Sequence, residues 1–214
     1  MEGDIDFIIR SRPTILEILE NRGYNVDSYK GVSPEEILKL ANTSVDLLKI
    51  FANKRPGSNA PVERAIVLYW IESPIRLKVE AEVNKLWDEE LHNYNPTHDE
   101  VIIMLSEPRH DVFDFQAAKQ WNTQKARVSF FQLKNLVTNP SKHFMVPPHR
   151  KLTVDEVEEL KKKTHILSKS QFPHIKYHVD LQARVLGLVP GDIVEIKRPS
   201  ETSGMATAFR VCTV

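Results

Sequence analysis

Asp192, Glu195 and Lys197 form the grouping in this sequence with the strongest claim to chemistry. One large class of metal-dependent nucleases sets an acid on one strand and Glu-x-Lys on the next. Its two carboxylates hold the ion and its lysine orients or activates water. Here the acids are three residues apart on what reads as one strand, so their side chains take opposite faces and one ion is poorly shared. His174 and His178 fall on one side of a strand or helix, but zinc wants three or four ligands and His143, His149 and His165 are near only in sequence. Cys212 sits in an alternating apolar stretch that suits a small buried hydrophobe rather than a nucleophile. Tyr69, Trp70, Trp87, Trp121, Phe130 and Phe131 have the rings for base stacking. Most lie in apolar runs that read as core; Trp121, between Gln120 and Asn122, is the exception to watch. The sequence has no Gly-x-Gly-x-x-Gly, Walker-type loop or Gly-x-Ser-x-Gly elbow. The residues therefore point away from catalysis and call for no metal or cofactor.

The elements that position these residues can be read from periodicity. Ile5, Ile8, Ile9, Ile15, Leu16 and Leu19 have helical spacing, and Pro13 predicts a kink or a second start. Gly23 offers the left-handed residue after that helix. Ser33-Pro34-Glu35-Glu36 reads as a helix start, with cap, proline at the first position and glutamate three on. Strands are predicted at 45–51, 65–71, 101–105 and 128–133, with helices from Pro74 (the longest) and over 115–126. Strand and helix alternating over 65–133 imply an α/β layer with crossover helices. Further on, Thr153-Val154-Asp155-Glu156 opens a helix to Thr164, and 180–186 forms a short one stopped by Gly187. Lys161-Lys162-Lys163 falls where cations meet a helix C-terminus favourably, a structural role rather than a grip on DNA. Residues 193–198 and 206–211 read as strands joined by a turn at 199–204, with Pro199 breaking the ladder.

Composition narrows the function classes. The chain has 214 residues and its 29 basic and 29 acidic side chains cancel, which argues against coating nucleic acid by bulk charge. The cancellation hides an asymmetry. Residues 1–138 hold 17 basic and 21 acidic residues, a net of −4, and 139–214 hold 12 and 8, a net of +4. With the loop-like Thr138-Asn139-Pro140-Ser141, this predicts two domains, 1–138 and 139–214. One cysteine excludes an intrachain disulfide. No stretch approaches the ~18 apolar residues of a membrane span, and no secretory signal opens the chain.

The second part also carries strings of a known family. Phe172-Pro173-His174-Ile175, Leu186-Gly187-Leu188-Val189-Pro190-Gly191-Asp192-Ile193-Val194-Glu195-Ile196 and Arg198-Pro199-Ser200-Glu201-Thr202-Ser203-Gly204 occur in that order. Upstream stand Val146-Pro147-Pro148-His149, Glu158-Glu159-Leu160 and Leu167-Ser168-Lys169-Ser170-Gln171. Together, over about 143–214, they resemble the C-terminal domain of the fifth subunit shared by eukaryotic RNA polymerases I, II and III, a domain that archaeal RNA polymerases carry as the separate H-type polypeptide. The leading helix ending in Arg22-Gly23-Tyr24 is similar to the start of the eukaryotic subunit. Departures fall at Asp180-Leu181, at Pro148 and over Met205–Phe209. The N-terminal divergence fits a large DNA virus or a distant eukaryotic lineage.

The resemblance implies an α+β protein: an N-terminal α/β jaw domain and a small C-terminal α+β assembly domain of the archaeal H type. It implies a non-catalytic subunit, not itself an enzyme, that docks on the largest polymerase subunit beside the others. Its N-terminal part would lie in the lower jaw near downstream DNA, touching it weakly. It places the chain in the nucleus, or in the virion or cytoplasmic virus factory if viral. It puts the partner contacts at Pro147, His149, Arg198, Pro199, Ser200, Glu201 and Thr202. Two alternatives stand beside it: a nuclease using Asp192, Glu195 and Lys197, and a transcription-linked adaptor that kept the C-terminal module but left the polymerase.

Overall fold

The computed structural model describes residues 2–58, 60–71, 74–88, 91–92, 94–200 and 204–214. Two units follow one another, Met1–Asn139 and Pro140–Val214. Both mix helices with sheet, so the chain is α+β.

In the first unit, Pro13 lies inside one continuous helix, α1 (Glu2–Asn21), and does not divide two. The proline is exposed, while Ile8, Ile15, Ile18 and Leu19 around it are fully buried. A proline inside a helix costs ~3 kcal/mol. Burying each such aliphatic side chain returns ~1.5–3 kcal/mol, so the apolar stripe wins. Helix α2 (Pro34–Thr43) starts as read, with the Ser33 hydroxyl accepting from Glu36 N at 3.2 Å. The strand predicted at 45–51 is mostly a 3-10 turn, Val45–Leu48, set by Ser44 accepting from Asp46 N. Strand β1 is only Ile50–Asn53.

Then come β2 (Arg64–Trp70), a 3-10 turn at Ile75–Leu77, α3 (Val79–Lys85), β3 (Asp99–Leu105), α4 (Asp111–Gln124) and β4 (Arg127–Gln132). The sheet order is β1-β2-β3-β4. β2, β3 and β4 run parallel and β1 pairs antiparallel on the outside. The helix from Pro74 is not the longest; α3 spans seven residues. Its buried stripe ends at Leu86, and Trp87 is held by its indole N–H to Gln120 of α4 at 3.0 Å, while Leu77 and Leu91 remain exposed. Helix α4 begins four residues before the expected Phe115, which is exposed, and Lys125 ends it in a left-handed conformation.

β3 is buried along its whole length, including two acids at its start. A central parallel strand is covered on both faces, so each charge needs its own partner. Arg64 grips Asp99 with two hydrogen bonds, of 2.9 and 2.6 Å. Arg22 pairs with Glu100 at 2.5 Å, their side chains 3% and 4% exposed, and the Tyr24 hydroxyl donates to the same carboxylate at 3.1 Å. Burial and the Glu100 charge push the Tyr24 phenol far above its usual range. Gly23 makes the turn from α1 into this cluster: its φ is +94°, and a Cβ there would meet Ser58 atoms at 2.9 Å.

The second unit holds β5 (His149–Lys151), α5 (Val154–Thr164), β6 (His174–Lys176), α6 (Leu181–Val185), β7 (Ile193–Ser200) and β8 (Gly204–Thr213). Its sheet order is β5-β7-β8-β6, antiparallel except for β8 with β6. Leu152, Val157, Leu160, Phe172, Ile193 and Val211 form one buried cluster, with Ile166 and Phe209 packed against it. The capping box of α5 is complete: Glu156 N donates to the Thr153 hydroxyl, and Thr153 N to the Glu156 carboxylate. The three lysines lie in its last turn. Asp180 caps α6, accepting from Gln182 N and Ala183 N. The three-residue strands β5 and β6 have no counterpart in the periodicity.

Candidate docking surface of the C-terminal unit

β7 and β8 form one long hairpin, paired from Ile193↔Val211 to Ser200↔Gly204. A turn leads into it, in which Val189 N donates to the Asp192 carboxylate at 2.9 Å. Pro199 does not break the ladder as the sequence predicts; it pairs with Met205 inside it. Backbone direction explains this. Lys197 N donates to Pro148 O at 3.1 Å, so alternate residues of β7, Pro199 included, turn their nitrogens toward the β5 side. β5 pairs only with Val194–Ile196, so the nitrogen of Pro199 faces an open edge and no ladder bond is lost.

The structure brings most of the expected partner-contact residues together. Pro147 and His149 stand at the head of β5, where the His149 ring Nδ1 lies 2.6 Å from Pro147 O. His149 pairs with Ile196, and Pro148 bonds Lys197, so this segment leads directly to Arg198, Pro199 and Ser200. Arg198 and Pro199 are exposed, and Ser200, Pro147 and His149 are half-buried. Glu201 and Thr202 lie outside the described residues. Phe144 and Met145, 88% and 71% exposed, sit just upstream, and Met205, 61% exposed, lies across from Pro199. The sequence reading did not single out these three exposed apolar residues.

The chemical candidates fall apart in space. Asp192 pairs with Lys151 at 2.7 Å and Glu195 with Arg150 at 3.0 Å, so each carboxylate answers its own cation. His174 is on β6, and His165 takes the left-handed position after α5. Among the described residues no group of three or more His, Cys, Asp or Glu is placed to hold a metal. Cys212 is buried, and burial pushes its thiol up to about 12, far from nucleophilic range. Trp121 lies under two cations, Lys125 and Arg127, at 5.5 and 5.9 Å from its ring centroid.

Residues 138–212 match the family described as RNA polymerase Rpb5, C-terminal domain. Over 73 residues the chain is 44% identical to DNA-directed RNA polymerase subunit Rpo5 of Pyrococcus abyssi, covering 34% of this chain and 87% of that protein. The chain belongs to the Rpb5/Rpo5 family. Rpo5 of Thermococcus kodakarensis is 46% identical over 69 residues, 32% of this chain and 82% of that protein. The similarity extends to the first unit in a eukaryotic member. The shared subunit rpabc1 of RNA polymerases I, II and III from Dictyostelium discoideum is 27% identical over 210 residues, 98% of each chain. None of these relatives is named as a nuclease, and that alternative has no support.

Proposed function

We propose that this chain is a non-catalytic subunit of a multi-subunit DNA-directed RNA polymerase that docks on the largest subunit through its second unit. The observation that carries this is coincidence of boundaries. The family match, 138–212, covers the unit that has its own sheet and core, Pro140–Val214. The archaeal relatives match over only 73 and 69 residues, about the length of this unit, whereas the eukaryotic relative matches over 210. Pro147, His149, Arg198, Pro199 and Ser200 supply the contact surface, with Glu201 and Thr202. The first unit lies in the lower jaw near downstream DNA. With a formal charge of zero, the chain touches DNA weakly, and most of the grip comes from the assembly. The eukaryotic relative supports action in the nucleus.

Affinity purification of the tagged chain followed by mass spectrometry tests the assignment. Recovery of the largest polymerase subunit in stoichiometric yield is expected, and its absence overturns the reading. Arg198→Ala is expected to weaken that recovery more than Lys162→Ala with Lys163→Ala. The reverse order would move the interface to the end of α5.

A further inference from the structure

The two long edges of the β7–β8 hairpin differ. The β7 edge is covered by β5 as far as Pro148 and then carries Pro199, which has no N–H to offer. Among the described residues the β8 edge is paired only at Val211–Thr213, by β6. Val211 N donates outward to Pro173 O, so Met205, Thr207 and Phe209 also direct their N–H and C=O groups to that side. Their even-numbered neighbours Ala206, Ala208 and Arg210 face β7. From Gly204 to Phe209 the outer edge therefore presents a regular row of donors and acceptors. It has none of the usual guards: no proline, no lysine and no acid stands in this stretch. Its side chains are small or apolar, and Met205 is exposed beside exposed Pro199.

We propose that this edge of β8 receives an extended segment of another polymerase subunit, which adds as a strand in line with β6. The idea rests on the docking reading above and deepens it. The edge is continuous with the Arg198–Ser200 surface through direct pairing, Arg198 with Ala206 and Ser200 with Gly204. Main-chain bonds to Met205, Thr207 and Phe209 supply affinity, and apolar side chains of the segment lie beside Met205 and Phe209. A second copy of this chain fits less well. Antiparallel pairing of two β8 edges, Met205 against Phe209, would set Gly204 of one copy against Arg210 of the other, next to Val211 where β6 already covers the edge, so the pairing cannot lengthen. A single extended segment ends freely there.

Hydrogen exchange on the full chain, alone and in the purified polymerase, reads the edge directly. The amides of Met205, Thr207 and Phe209 are expected to exchange freely in the isolated chain and to gain protection in the complex. Unchanged exchange overturns the proposal without touching the polymerase assignment. Protection in the isolated chain accompanied by dimers in sedimentation assigns the edge to a second copy and also overturns it. Thr207→Pro removes one outward N–H and no bond to β7, and should lower incorporation about tenfold. Thr207→Ala should leave incorporation within about twofold. Equal incorporation of wild type and Thr207→Pro counts against strand addition alone. Failure of the wild type to enter any polymerase removes both readings.

Discussion

The first unit closes its exposed sheet edge and the second leaves one open. On β1 the Tyr29 hydroxyl accepts from Phe51 N at 2.9 Å and donates to Phe51 O at 3.4 Å. Beside it Asn25 N donates to Asn53 O, and Arg55 N to Gly23 O. A strand edge is a template for pairing, and here the chain's own residues occupy it. On β8 no such cover exists from Gly204 to Phe209 among the described residues. Both units pair charges at the surface, but the first also pairs them in its core. The first unit buries Arg22 with Glu100 and answers buried Asp99 with Arg64. In the second, Arg150 reaches Glu156 and Glu195, and Lys161 reaches Glu158, at the surface. The first unit seals its β1 edge with its own residues; the second keeps the backbone groups of β8 available to a partner, while its charges are paired at the surface.

The largest test of this contrast is Glu100→Ala. Removing one member of a buried pair leaves an uncompensated guanidinium and costs ~3–5 kcal/mol. All three tryptophans, Trp70, Trp87 and Trp121, lie in the first unit, so urea unfolding followed by their fluorescence reports this unit by itself. A loss below ~1 kcal/mol, typical of an exposed pair, would break the contrast. The double change Arg22→Met with Glu100→Leu should recover much of the loss, because it removes both charges.

In the second unit the corresponding test is a helix cap. Thr153→Ala removes the acceptor for Glu156 N and should cost ~1 kcal/mol, checked by amide exchange along α5. This cap was fully legible in the sequence, as were Ser33 and the αL glycines after α1 and α6, because cap chemistry is local. The three parallel strands were legible for a related reason, their continuous apolar runs. What escaped was set at long range. Strand β5 exists because β7 lies beside it, and β6 because β8 does. The Arg22–Glu100 pair joins positions 78 apart, and neither residue advertises the other. Pro199 misled, and so did the second start read at Pro13, for one physical reason. A second start at Pro13 and a ladder break at Pro199 were both expected locally, and neither occurs, Pro13 being tolerated by the burial around it and Pro199 by an edge that needs no donor. The proposed docking residues were reached through the family strings, not through their chemistry; exposed Phe144, Met145 and Met205 carried no motif.

Tyr29→Phe sharpens the comparison of edges with a similar or smaller effect, ~0.5–1.5 kcal/mol for the lost hydroxyl. The Phe51 amide should then exchange faster, since its acceptor is gone, while Met205 and Thr207 in the isolated chain should not change. Equal acceleration at both edges would mean that Tyr29 stabilises the fold generally and does not seal β1.

The smallest expected effect concerns the surface charges around Arg150. The Thr153 backbone N–H and then Arg150 hold the Glu156 carboxyl below its usual pKa. A lowered folded-state pKa stabilises the fold fully above the ordinary carboxylate value. That contribution fades as pH falls through the lowered one. Thermal unfolding of Glu156→Gln should therefore depend less on pH than that of wild type below about pH 4.5. The sites are exposed, so the difference should shrink further in ~1 M salt, where the Debye length is about 3 Å. An acid loss as steep in Glu156→Gln as in wild type would assign it to other carboxylates. Asp4 and Glu20 in the first unit are the candidates, since both are also held low, Asp4 by Ser106 and Glu20 by Lys30 and Arg55.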